Sequence, residues 1–322
     1  MAGIGVNMMF AAQPMYRFID LFAGIGGFHL AFHQQGAMCV FASEKDKYAR
    51  QTYEANFKDI SPTLFDSDLY NDDILSITPE TVPEHDILCA GFPCQPFSQA
   101  GFKKGFDEGY QNRGNMFFIL RDIIAAKRPK AFFLENVRHL QNHDEGRTFS
   151  IIKDILENEL NYRVYYKVVK ASDYGLPQHR PRIFIIGFRK EDHYPTIFKF
   201  PEPIPLKFTM SEVWGGVCPK DIGFTLRVGG KSSPITDRRN WDSYWVDGEV
   251  RKIGLREGKK MMGFPDDFIF PVSKTQGMKQ LGNSVAVDAV SEVAKAMIAY
   301  LNTREASPVK ANNLFLKQPV LF

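Results

Sequence analysis

Gly91-Phe92-Pro93-Cys94-Gln95-Pro96-Phe97-Ser98 sets one cysteine between two prolines, just beyond the apolar run Asp86–Ala90. Two prolines within four residues restrict the backbone and hold the thiol in a fixed loop. Cys94 can then face a cleft. Cys39 and Cys89 lie inside apolar strands and read as the small buried hydrophobes that most lone cysteines are. Glu135-Asn136-Val137 directly follows the run Ala131–Leu134, which puts a carboxylate at the carboxyl end of a second strand. Gln178-His179-Arg180-Pro181-Arg182 adds cations from the rim of a later hairpin. Taken singly, each has a plainer reading as a surface acid or a solvated charge cluster. Together they place a nucleophile, a proton donor and positive charge on one rim, which is the equipment of covalent catalysis.

The elements that must position these groups follow from the pattern of apolar residues. Short apolar runs at Arg17–Leu21, Cys39–Ser43, Asp86–Ala90 and Ala131–Leu134 alternate with helical stretches such as Lys45–Asn56 and Met116–Ala126. That alternation predicts an α/β domain with a mostly parallel sheet, whose ligands sit at the carboxyl ends of its strands. Arg163–Val169 and Arg182–Phe188 read as two more strands. After Phe188 the prolines 195, 201, 203 and 205 and then glycine-rich polar sequence mark a boundary, and Asp288–Leu301 returns to an amphipathic helix.

Asp20-Leu21-Phe22-Ala23-Gly24-Ile25-Gly26-Gly27-Phe28 follows the first strand and opens a helix, so its glycines can admit a ligand to a positive helix end. A dinucleotide fingerprint would place a third glycine at position 29, where His29 stands, so hydride transfer loses ground. Glu44, at the end of the second strand, is placed to accept from a ribose, and Asp73-Ile74 to meet an adenine amino group.

A chain of 322 residues, 44% hydrophobic, can bury a large core, either as two domains or as one with an insertion. A net charge of +3 is too mild to identify a nucleic-acid partner. Cys39, Cys89, Cys94 and Cys218 form no C-x-x-C pair, so no metal is expected. No stretch is long and apolar enough for a membrane span, and the reading is a cytoplasmic enzyme with no export signal and no anchor.

The combination resembles the cytosine-5 DNA methyltransferase family of the bacterial restriction-modification type. The resemblance rests on Asp20–Phe28, Gly91–Ser98, Glu135–Val137, Gln178–Arg182 and Gln280-Leu281-Gly282-Asn283-Ser284-Val285, in the family's order, and spans roughly Arg17 to Leu301. It implies an S-adenosylmethionine-dependent methyltransferase (Rossmann-like) sheet with a smaller target-recognition domain. The implied division is an extension over 1–14 that can be removed without loss of activity, a catalytic and cofactor-binding domain over 15–190 and a recognition domain over 191–273. A segment over 274–303 then returns to the catalytic domain, and 304–322 forms a tail. It implies further that Phe22, Gly24, Gly26, Gly27, Glu44, Asp73, Ile74, Pro93, Met116, Asn283 and Ser284 hold S-adenosylmethionine, and that Cys94, Glu135, Arg180 and Arg182 handle the cytosine. Two departures stand out: the family's Arg-Glu-Cys-Ala-Arg block reads Arg256-Glu257-Gly258-Lys259-Lys260, and Lys45 stands where some relatives stack an aromatic on adenine.

By this reading Cys94 adds to carbon 6 while Glu135 lends a proton to ring nitrogen 3. Arg182 meets the oxygen at carbon 2, and Arg180 holds the loop and balances charge near Glu135. The base that removes the carbon 5 hydrogen is not identified. Attack on the ring faces requires the cytosine to leave the duplex. Phe224–Trp245, with Arg227, Lys231, Arg238 and Arg239 among glycines and the aromatics Trp241 and Tyr244, is the candidate recognition stretch, with Ser98 as a further DNA contact. The expected partner is double-stranded DNA, bound by a monomer, with a restriction endonuclease that shares the site. A tRNA substrate, a methylated exocyclic amino group and a catalytically silent DNA-binding regulator are the rival readings. The long basic stretch, the absence of an Asp/Asn-Pro-Pro-aromatic loop, and intact Cys94 and Glu135 weigh against them in turn.

Overall fold

The computed structural model describes residues 16–93, 116–228 and 233–304, so Cys94, Ser98 and Lys231 lie outside the described residues. The first strand, β1 (Arg17–Leu21), leads through the glycine loop into α1 (Gly27–His33). Then follow β2 (Met38–Ser43), α2 (Lys47–Phe57), α3 (Pro62–Asp66) and a two-residue β3 (Tyr70–Asn71). The helix α2 begins two residues later than its apolar pattern suggested, because the Asp46 carboxylate caps it by accepting from the Tyr48 and Ala49 N–H groups. Next come β4 (Ile87–Gly91), α4 (Met116–Lys127), β5 (Ala131–Val137), α5 (Arg147–Asp154), β6 (Tyr162–Lys170) and β7 (Pro181–Arg189).

These seven strands form one sheet in the order β3-β2-β1-β4-β5-β7-β6. The pairs from β3 to β5 are parallel, and β7 and β6 add an antiparallel hairpin at the edge. From β1 the chain first builds outward through β2 and β3, then restarts at β4 on the other side. The crevice between the carboxyl ends of β1 and β4 is therefore the topological switch point, where open α/β sheets take ligands. Because β7 runs antiparallel, its start lies at the same edge as the ends of β1, β4 and β5, and Arg182 pairs with Val137. A hairpin thus delivers cations to a rim otherwise made of strand ends.

Successive strand residues bury alternate faces, as the twofold period of a strand requires. Phe18, Ala42, Cys89 and Phe133 face α1, α2 and a final long helix, while Ile19, Leu21, Leu88, Ala90 and Leu134 face α4 and α5. β5 runs three residues past the apolar segment that predicted it, since Glu135 and Asn136 are themselves buried, Glu135 paired with both β4 and β7 and Asn136 with β7. β3 is too short to show any period and was not legible.

Beyond β7 lie α6 (Met210–Trp214), the hairpin β8 (Ser243–Val246) and β9 (Glu249–Lys252), then α7 (Leu255–Met262), α8 (Lys274–Asn283) and α9 (Val287–Asn302). Met210, Val213, Leu226, Trp241 and Tyr244 belong to the same core cluster as the helices on the first sheet face. Trp241 and Tyr244 are therefore core, not exposed recognition aromatics, and the Tyr244 hydroxyl accepts from the Phe224 N–H at 2.8 Å. No helix among the described residues is long and apolar enough to cross a membrane.

Candidate active site

The glycine loop turns through left-handed backbone at Phe22, Gly24 and Gly26, with φ of 56°, 57° and 84°. Its glycines do different work. A β-carbon on Gly26 would lie 2.2 Å from the Phe57 ring, and one on Gly27 would lie 2.6 Å from Val285. Those two glycines allow close approach of protein on the side where a β-carbon would stand. At Gly24 no described heavy atom lies within 4 Å of where a β-carbon would sit, so its bare backbone faces open space. Its N–H donates to Glu44 Oε2 at 2.8 Å, while Glu44 Oε1 accepts from the Asp46 N–H at 2.7 Å. Burial pushes the Glu44 carboxyl up, against the pull of those N–H groups.

Asp73 accepts from the Leu75 N–H at 3.0 Å and from Lys45 Nζ at 2.9 Å, and Ile74 is buried beside it. A cleft of about 480 Å³ opens here between Lys45, Asp73, Ile74, Leu75, Ile119 and Ile123. That volume falls in the range of small-molecule sites. Phe22 and Met116 pack against the second core cluster. Pro93 is exposed just past the end of β4, Asn283 is exposed at the end of α8, and Ser284 is buried against Gly27.

Glu135 is buried within β5, opposite Gly91 of β4, with Arg182 Nε 2.9 Å from its Oε1. Burial raises its pKa, and the opposing pull of Arg182 and Arg180 does not cancel the rise. The Asn136 amide donates to the Phe92 carbonyl at 2.9 Å. This bond pins the chain two residues before Cys94 to the strand that carries Glu135. Asn136 stood in the sequence motif without a role, because the partner of a polar side chain on a distant backbone leaves no trace in spacing.

Arg180, expected to hold the loop and balance charge near Glu135, is turned inward from the rim. Its guanidinium is buried and donates to the carbonyls of Leu226 (3.2 Å), Gly282 (2.9 Å) and Ser284. Arg182 remains the arginine beside Glu135. Gln178 is also turned inward, donating to the Met261 carbonyl at 2.9 Å and accepting from the Leu226 N–H at 3.0 Å. Thr225 donates through its hydroxyl to the His179 carbonyl. The segment from Gln178 to Arg182 therefore laces the later region onto the sheet.

Arg227, Arg238 and Arg239 are exposed. Arg239 is paired with Asp237 at 2.7 Å, and that contact holds the aspartate down to about 2. The departing block 256–260 does structural work. Glu257 accepts from the Gly254 N–H at 2.9 Å, and a β-carbon on Gly258 would lie 2.9 Å from Leu281. Among the described residues no group of three or more His, Cys, Asp or Glu is placed to hold a metal ion.

The fold is shared with solved structures such as that of a Spodoptera frugiperda DNMT2 mutant, with a TM-score of 0.66 at 20% identity over 88% of this chain and 99% of that one. In sequence the chain is 43% identical to the type II methyltransferase M.SsoII of Shigella sonnei, covering 89% of this chain and 81% of that protein. It is 40% identical to the type II methyltransferase M.NlaX of Neisseria lactamica, covering 89% and 98%. The M.SsoII alignment spreads about 287 residues of this chain over 325 positions, so about 38 positions are filled only in the relative. The pattern of the C-5 cytosine-specific DNA methylases matches residues 16–216 and 219–299, breaking only at 217–218 in the later region. With that match running through the glycine loop, both strand-end motifs and the segment before α9, the chain belongs to the C-5 cytosine-specific DNA methylase family.

Proposed function

We propose that the chain methylates carbon 5 of a cytosine flipped out of a specific duplex DNA sequence, as the monomeric modification enzyme of a restriction-modification system whose endonuclease shares the site. Family membership makes it a DNA (cytosine-5-)-methyltransferase. The finer assignments are the methyl donor, the residue roles and the partner enzyme.

The residues present fit S-adenosylmethionine. The open backbone at Gly24 and the half-buried Glu44 carboxylate suit a ribose, and the cleft at Asp73 and Ile74 suits an adenine. Phe22, Gly26, Gly27, Pro93, Met116, Asn283 and Ser284 complete the set, and the bound cofactor supplies an electrophilic methyl group on a sulfonium. The Cys94 thiolate bonds to carbon 6 of the cytosine, and a proton passes from Glu135 to ring nitrogen 3. Carbon 5 thereby becomes nucleophilic. Arg182, held at Glu135, meets the ring oxygen at carbon 2. Once the methylated carbon 5 loses its hydrogen as a proton, the carbon–sulfur bond breaks with its electrons on Cys94, the proton on ring nitrogen 3 returns to Glu135 and aromaticity is restored.

The observation that carries this reading is the burial of the Glu135 carboxyl beside the strand leading to Cys94. Burial favours the protonated form that the proton donor needs. The catalytic unit is assigned to 15–190 together with 274–303. Supporting this, Lys279 pairs with Asp46 at 3.0 Å, Thr52 donates to Gln280 at 2.9 Å, and α9 lies in the core shared with α1. Residues 191–273 are assigned to target recognition.

Duplex DNA carrying 5-fluorocytosine at the target tests the mechanism, because the departing group at carbon 5 can no longer leave as a proton. With S-adenosylmethionine present, a denaturation-resistant adduct should form on the peptide Gly91–Ser98 and be absent with Cys94→Ala. Attachment at Cys39, Cys89 or Cys218, or an adduct that survives without Cys94, overturns the assignment.

A further inference from the structure

We propose that Arg180 is a positioning residue that couples target engagement to cofactor binding, an inference that rests on the function proposed above. Arg180 is only 2% exposed, yet among the described residues no carboxylate hydrogen-bonds it. The carbonyls of Leu226, Gly282 and Ser284 surround it instead. These oriented dipoles stand in for water at the two terminal nitrogens, while Nε has no hydrogen-bond partner among the described residues. The planar, fixed fork of arginine makes those dipoles a geometric constraint, because the carbonyls must keep their separations to be satisfied together.

The carbonyls belong to two segments with different duties. Leu226 immediately precedes Arg227 in the recognition stretch. Gly282 and Ser284 flank Asn283 in the cofactor set, and Ser284 Oγ lies 3.1 Å from where a β-carbon on Gly27 would sit. The segments also touch directly: a β-carbon on Gly282 would lie 2.8 Å from the Arg227 carbonyl carbon. Arg180 therefore stands between the DNA-facing chain and the glycine loop.

DNA that fixes Arg227 also fixes the Leu226 carbonyl, and through the shared guanidinium it restrains Gly282 and Ser284 before the cofactor arrives. Less ordering remains for the cofactor to impose, so it binds more tightly. Linkage requires the reverse effect to be equally large, with the cofactor tightening DNA by the same factor.

The test measures equilibrium affinities of the full chain for S-adenosylhomocysteine and for a target duplex, each with and without the other. In the parent protein each ligand should tighten the other by roughly 5- to 150-fold, the usual span of such coupling. Arg180→Lys keeps the charge and loses the fork, and Arg180→Met keeps the bulk and loses the charge. Both should bind each ligand alone within about threefold of the parent, with the coupling factor reduced to about 1 to 3. Gly282→Ala, which pushes on the Arg227 backbone from the other side, should also lower the coupling and serves if the arginine variants fail to fold. Parental coupling retained in the folded variants overturns the proposal. So does mutual indifference of the two ligands in the parent protein. A parent that binds neither ligand overturns the proposed function itself.

Discussion

Two ion pairs of nearly equal length behave in opposite ways in this molecule. Glu135 and Arg182 meet at 2.9 Å with side chains 11% and 16% exposed, and the pKa of the acid rises. Asp237 and Arg239 meet at 2.7 Å with side chains 21% and 75% exposed, and the acid is held down to about 2. The contact lowers both acids. Desolvation decides the sign, because the charged carboxylate loses more by leaving water at the sheet edge than it regains from its arginine. The carboxyl end of β5 thus favours a protonated carboxyl, while Asp237 and Arg239 stay charged. The family match breaks only at 217–218, in the same later region as the second pair.

The hardest test of this contrast removes the proposed proton donor. Glu135→Gln keeps the shape and eliminates the acid, so single-turnover methyl transfer should fall by about 10²- to 10⁴-fold, the range for losing a general acid. Affinity for S-adenosylhomocysteine should hold. The sign of the pH dependence follows from the raised pKa: the donor is competent below it and is lost as pH rises through it. The parent rate should therefore show an alkaline limb that the residual activity of Glu135→Gln lacks. An identical limb in both proteins would assign the titration to another group. The same shift bears on stability, since the folded state then holds a proton that the unfolded chain releases at lower pH. This contribution favours the fold below the ordinary carboxyl pKa and is lost as pH rises through the raised one.

A second test divides the glycine loop. At Gly26 an added methyl meets both a positive φ and the Phe57 ring, so Gly26→Ala should destabilise the fold by about 2–4 kcal/mol. Gly24→Ala meets only the torsional penalty, about 1–2 kcal/mol, and its methyl enters open space. Its main effect should be weaker binding of S-adenosylhomocysteine. Thermal melts with and without that ligand separate the two, and equal melting losses would show that Gly24 is also a packing residue.

How much of this was legible varies with the range of the interaction. The glycine loop, the strands from β1 to β7 other than β3, and the position of Glu135 were readable because apolar period and chain order are local properties. Arg180 was readable as a loop holder but its partners were not, and Gln178 was visible only as a residue, since those partners lie 46 to 104 and 48 to 84 residues away on other segments. Trp241 and Tyr244 were drawn into the recognition stretch by their basic neighbours, although their burial depends on Met210, Val213 and Leu226 packing beneath them. The division of labour among Gly24, Gly26 and Gly27 required knowing where Phe57 and Val285 come to rest.

The smallest expected effect tests the solvated side of the comparison. Arg238 and Arg239 are adjacent and exposed, and sequence alone could not rank them as base readers. Arg239 already points its Nε and Nη2 at Asp237, with contacts at 3.1 and 2.7 Å. To reach a guanine edge bidentately it must first release that partner, whereas Arg238 has no such pair among the described residues. The two arginines thus start from different states. A bidentate arginine contributes about 1–3 kcal/mol of discrimination between bases. Arg238→Ala should therefore relax preference at one position flanking the methylated cytosine by roughly 5- to 150-fold. Arg239→Ala should weaken all sequences alike and lower the salt dependence of binding by about one ion. Bisulfite sequencing of a randomised duplex library treated with each variant reads the first effect, and binding titrations over a range of salt read the second. Loss of base preference confined to Arg239→Ala would reverse the ranking and show that the Asp237 pair breaks on contact with DNA.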